Sequence, residues 1–140
     1  MLKFSFANLH IDPDTTPHHE LETPIGQVAN FFADFRVTAG GTEIYADDSF
    51  PIVEFASQLA RWLRDKIERG DEFSFESMFF EEPGEFSIAL RTGHWKASSK
   101  IHPSPTGEFS TGELKDSACT FLDKLRERCK DDFNVELVAF

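Results

Sequence analysis

His10, Asp12, Asp14, His18 and His19 bring metal-ligand chemistry into one short stretch. Their spacing matches no zinc or calcium pattern, and the adjacent His18 and His19 cannot easily aim at one ion. A Pro-rich solvated loop over residues 12–24 accounts for them, so no metal or other cofactor is expected. Nucleophilic catalysis needs a Ser, Cys or Thr with a base and an orienter in reach. The chain carries no Gly-x-Ser-x-Gly and no Cys-His signature. Gly40-Gly41 lies between two β-type runs, with no Gly-Lys-Ser/Thr after it, and reads as a hairpin turn rather than a phosphate loop. No catalytic residue is singled out, and the chain is not expected to be an enzyme.

The charge is more informative. Twenty-five Asp and Glu against fourteen Lys and Arg give a net charge of −11 over 140 residues. That balance argues against nucleic-acid binding, which needs clustered Lys and Arg. It suits a partner that is itself basic, because complementary charge speeds encounter and suppresses wrong partners. The acid is uneven. Asp12 to Glu54 holds nine acidic residues and a single basic one, Arg36; Asp71 to Glu85 holds six and no Lys or Arg.

These residues need elements to position them. Leu2, Phe4 and Phe6 alternate with polar neighbours as a strand does. Residues 31–38 and 42–46 flank Gly40-Gly41 as a hairpin. A helix is expected from Pro51 to Gly70, capped by Asp48 or Ser49. Its core stripe would be Ile52, Ala56, Leu59, Leu63 and Ile67, leaving Glu54, Gln58, Arg61, Asp65 and Glu68 in water. Strands follow at Phe73–Phe79, Phe86–Leu90 and Trp95–Ile101, then a second helix over Glu113–Lys130, capped by Ser110 or Thr111, and a last strand at Phe133–Val138. Cys119 and Cys129 fall about 15 Å apart on that helix, too far for a disulfide.

The expected fold is a single α+β domain over residues 1–140. It has one antiparallel sheet of about six or seven strands with two helices packed on one face, and hairpin–helix–strand occurring twice suggests a duplicated ββαβ unit. Sixteen Phe supply most of the core. If Phe31, Phe35, Phe73, Phe75, Phe86 and Ile88 face the helices, then Phe32, Met78 and Phe80 face away and mix apolar anchors with charge. No apolar run approaches the roughly 20 residues of a membrane span, and Met1–Phe6 does not read as a signal peptide. With two free thiols, the cytoplasm is the expected compartment.

Phe50-Pro51-Ile52-Val53-Glu54-Phe55-Ala56, with Leu59 and Trp62-Leu63 beyond it, resembles a pattern of small bacterial proteins. So does Ser77-Met78-Phe79-Phe80-Glu81-Glu82-Pro83-Gly84 followed by Trp95 after a Gly turn. Over about residues 30–125 the chain is similar to small acidic immunity proteins of polymorphic or contact-dependent toxin systems. The resemblance carries over no catalytic or binding residues. It implies a cytoplasmic protein that binds one cognate toxin domain, often a nuclease, and blocks its basic active site.

The uneven charge and the outward-facing apolar residues place the partner-binding residues at Asp47, Asp48, Glu72, Glu76, Glu81, Glu82 and Glu85, with Phe32, Met78 and Phe80 as apolar anchors. The expected partner is a basic protein toxin, with neither nucleic acid nor membrane; pairing of edge strands leaves room for a homodimer. The alternative is a small-molecule-binding or regulatory domain with a pocket between helices and sheet.

Overall fold

A computed structural model describes residues 1–11, 18–81 and 85–140, with His18 in its backbone alone. Strands β1 (Leu2–His10), β2 (Phe32–Ala39) and β3 (Thr42–Phe50) form one antiparallel sheet in that order. Strands β4 (Phe73–Ser74), β5 (Phe86–Arg91), β6 (His94–Ser99) and β7 (Thr106–Phe109) form a second, also antiparallel. The helices are α1 (Pro24–Asn30), α2 (Ile52–Asp65) and α3 (Thr111–Phe133). The α+β class and the antiparallel sense agree with expectation; the single continuous sheet and the pair of helices do not, and β7 was not among the expected strands. Where the two sheets meet, β3 and β6 touch without a ladder, and the Ser99 hydroxyl donates to the Ile44 carbonyl at 2.6 Å. A side-chain bond thus stands where a backbone ladder would have continued the sheet.

Gly40 and Gly41 both take positive φ, 58° and 84°, as the tight turn between β2 and β3 requires. Ser110 caps α3 by accepting the Glu113 amide, and Asn134 ends that helix in the left-handed conformation. The expected cap of α2 is absent. Pro51 occupies its N-cap with no side-chain bond, while Ser49 sits at φ 65° on β3. Helix α1 was not expected. Thr23 caps it, accepting the Gly26 amide, and Pro24 opens its first turn.

Helix α3 lies on β1 and reaches β6 and β7, while α2 packs against β2, α1 and α3. The core between them is built of phenylalanine. Phe55, fully buried on α2, meets the rings of Phe4, Phe35, Phe50, Phe73, Phe75, Phe86 and Phe121. A ring brings large apolar area with no polar atom to satisfy.

One expected strand is cut short and another is missing, for one reason. β4 is a two-residue strand, and residues 134–140 form none. Both extended stretches give their backbone groups to side chains instead. Gln27, fully buried on α1, donates to the carbonyls of Leu21 and Glu136 and accepts the amides of Val138 and Ala139. The Ser57 hydroxyl adds a bond to the Ala139 carbonyl. The second ββαβ unit therefore lacks its closing strand.

Cys119 is exposed and Cys129 buried, and neither is in a disulfide. Burial, with Asp132 adding its charge, pushes the Cys129 thiol up to about 12. Because the thiolate is the reactive form, a thiol reagent at mildly alkaline pH is expected to modify Cys119 alone in the folded protein and both residues after unfolding. Ready modification of Cys129 in the folded state would contradict this packing.

Candidate functional site

Glu54, Gln58 and Trp62 are spaced by four along α2 and so share one face of the helix. That face clasps the chain that returns after it. The Glu54 Oε2 accepts the Met78 amide at 3.1 Å. Gln58 donates to the Glu76 carbonyl at 2.5 Å and accepts the Glu76 amide at 3.1 Å. The Trp62 indole donates to the Asp71 carbonyl at 2.9 Å. Residues 71–78 thus run antiparallel to α2, held by its side chains as a neighbouring strand would hold them. The expectation that Glu54 and Gln58 face water is corrected: Glu54 is 4% exposed and Gln58 half-buried.

A groove of about 500 Å3 opens between helix and segment. Glu54 lines it near the start of α2, Arg61 and Lys66 toward and beyond its end, and Glu72, Glu76 and Met78 from the facing segment. The Glu54 Oε1 is buried and meets no hydrogen-bond donor among the described residues.

Of the residues singled out in the sequence, Glu72, Glu76 and Met78 come together here. Met78 is 63% exposed and Phe79 45%. Phe79 meets the half-buried Phe32 edge-on at 5.2 Å, and His10 lies against the other ring of that pair, Phe32. Glu72, Glu76 and Glu81 are exposed along the same stretch of chain. Asp48 is exposed and Asp47 half-buried on β3, just before Phe50. Nine ion pairs are formed among the described residues, and none involves Asp47, Asp48, Glu72, Glu76 or Glu81. The charge of Asp48, Glu72, Glu76 and Glu81 is left available, while Asp47 accepts the Tyr45 hydroxyl.

Two assignments are corrected. The Glu85 side chain is 8% exposed and pairs with Lys100 at 2.9 Å, so its charge is spent inside the fold. Phe80 turns inward onto Phe50 and Phe75, and the exposed position passes to its neighbour Phe79, because the chain leaves the strand after Ser74 and the alternation slips. Glu82 lies outside the described residues, as do Asp12 and Asp14 of the metal-ligand stretch. No three His, Cys, Asp or Glu among the described residues converge as a metal site would need.

Glu85 belongs to a small polar cluster. The Tyr45 hydroxyl lies 3.2 Å from Asp47 Oδ2 and 3.4 Å from Glu85 Oε1. Burial first, then the two carboxylates, raise the Tyr45 phenol well above its usual range, so it stays a donor. Asp47 is raised chiefly by burial and further by Glu85 and Asp48, with the Tyr45 bond and Lys100 opposing. A raised Asp holds its proton more tightly folded than unfolded. Stability therefore falls as pH rises from about 4, the unfolded value, through the folded one. Subtracting the unfolding free energy of Asp47→Asn from that of the native chain should isolate this decline, followed by a plateau once the carboxyl is ionised in both states. A difference that rises with pH in that window would contradict the burial of Asp47.

A family model described as "Domain of unknown function (DUF7878)" matches residues 2–131. The chain belongs to this family. No curated protein matches the chain, and no solved structure matches it. No helix among the described residues of this DUF7878 member is long and apolar enough to cross a membrane. The match spans β1 to β7 and nearly all of α3, so both the side chains of α2 that clasp residues 71–78 and the groove fall within the family's extent. The residues missed in the sequence are Glu54, Gln58 and Phe79. The four-residue spacing of Glu54, Gln58 and Trp62 was the available signal, since a polar pair continuing into a buried Trp marks a helix face in contact with something polar.

Proposed function

We propose that the chain is an immunity-type interaction protein that binds a basic toxin domain and covers its active site, without chemistry of its own. The observation that carries this reading is the pairing of unspent charge with exposed apolar side chains. Glu72, Glu76 and Glu81 have no cationic partner among the described residues, and Met78 and Phe79 stand beside them. Desolvated apolar anchors hold a partner, and surrounding carboxylates raise the rate of encounter. The resemblance to acidic immunity proteins supplies the class of partner: a toxin domain, with nucleases among the candidates because an active site that attracts a polyanion is basic. A stable interface of this kind buries about 1,600 Å2 in total. Asp47 and Asp48 would lie toward its rim. The test is association of the purified chain with basic toxin domains, followed against ionic strength and against the Glu76→Lys/Glu81→Lys variant.

A second reading, a small-molecule-binding domain, is favoured by one feature, the groove with the unpartnered Glu54 oxygen at its side. Pockets of that volume take ligands when a few polar groups converge in them.

A further inference from the structure

The Glu54 end of the groove is built to take a cation. A buried carboxylate oxygen without a donor is costly, and side chains so placed normally have a hydrogen-bonding partner. Glu54 is 4% exposed, its Oε2 is satisfied by the Met78 amide, and its Oε1 is not satisfied by any described residue. Glu76, from the facing segment, lines the same groove with its charge in no ion pair among the described residues. Arg61 and Lys66 also line the groove, but neither forms an ion pair with Glu54 or Glu76. Val28 and Met78 add apolar wall.

We propose that this groove binds an alkylammonium or alkylguanidinium group, with Glu54 Oε1 as the buried acceptor, Glu76 as the outer charge and Val28 and Met78 flanking the alkyl stem. Such a group has two sources, a Lys or Arg side chain of a docking protein or a free small amine. The inference rests on the basic-partner reading for the first source, and on Glu54 alone for the existence of the site. A guanidinium or ammonium on an alkyl stem matches a groove that is apolar on its walls and anionic at its end.

The probes are n-propylguanidinium and n-butylammonium, titrated into isotopically labelled protein with butyrate and tetramethylammonium as controls at matched ionic strength. Expected are saturable shifts of the Glu76 and Met78 amides with the two probes and none with the controls. Affinity should be kept in Glu127→Gln, an exposed position of α3 outside the groove, and weakened about tenfold or more in Glu54→Gln, the loss typical of a charge-assisted hydrogen bond. If Glu54→Gln does not fold, the contrast between probes and controls on the native chain carries the test. Shifts that do not saturate, that follow tetramethylammonium equally, or that survive Glu54→Gln overturn the site. A basic partner that dissociates about tenfold faster from Glu54→Gln assigns the cation to its side chain. A partner that holds both chains equally, while the probe distinguishes them, assigns it to a free amine. Failure to find any basic partner leaves the titration readable.

Discussion

Replacing Gln27 by alanine is expected to destabilise the fold by about 3 to 4 kcal/mol, measured by urea unfolding. Gln27 is fully buried and satisfies four backbone groups, the carbonyls of Leu21 and Glu136 and the amides of Val138 and Ala139. Alanine leaves all of them without that partner and opens a void beside α1. The amides of Val138 and Ala139 should then exchange with solvent far faster than in the native chain, because no ladder holds residues 134–140. Gln27→Glu separates the two halves of the clasp. It keeps acceptors for the amides but loses the donors to Leu21 and Glu136, and should also be destabilising. A loss under about 1 kcal/mol for Gln27→Ala would mean that the tail is held by other contacts.

Most of the regular structure was legible because it follows from periodicity and from residues with special backbone needs. Gly40-Gly41 marked the β2–β3 turn, Ser110 and Glu113 marked the start of α3, and apolar spacing marked Ile52, Ala56, Leu59 and Ile67 as the buried side of α2 and the turn after it. What was not legible shares a physical cause. The alternation Phe73, Phe75, Ser77, Phe79 is a strand pattern, and its first half does bury Phe73 and Phe75. Whether such a stretch finds a ladder depends on what lies beside it, and here α2 lies there with Glu54, Gln58 and Trp62. A side chain can satisfy an amide as well as a strand can. The same holds for Phe133–Val138 and Gln27. Sequence periodicity reports which face is buried; it does not report which group meets the backbone.

The candidate face was partly legible for the same reason. Glu72, Glu76, Glu81 and Met78 are exposed as their composition implied. Glu85 is a neighbour in sequence but not in environment, since Tyr45 on one sheet and Lys100 beyond β6 draw it inward. Phe79 and Phe80 exchange roles because the chain leaves its strand between Ser74 and Met78. A one-residue slip in an extended segment moves every side chain to the other side. The α2 cap failed on local geometry: Asp48 and Ser49, the two expected caps, lie in β3, with Ser49 at φ 65°, and Pro51 takes the N-cap position.

Charge reversal on the face should have the second large effect, on rate rather than stability. Glu76 and Glu81 are exposed and form no ion pair among the described residues, so Glu76→Lys/Glu81→Lys breaks no described ion pair and should leave the fold intact. It changes the local charge by four units, and association with a basic partner at low salt is expected to slow about tenfold or more. Met78→Ala/Phe79→Ala should act differently, speeding dissociation with little change in encounter rate. The most direct measurement is the association rate of the native and charge-reversed chains with a basic toxin domain, across a range of ionic strength. The acidic docking face predicts that the native rate falls steeply with salt and converges on that of the reversed chain as screening becomes complete. Equal rates and equal salt slopes for the two chains would contradict it.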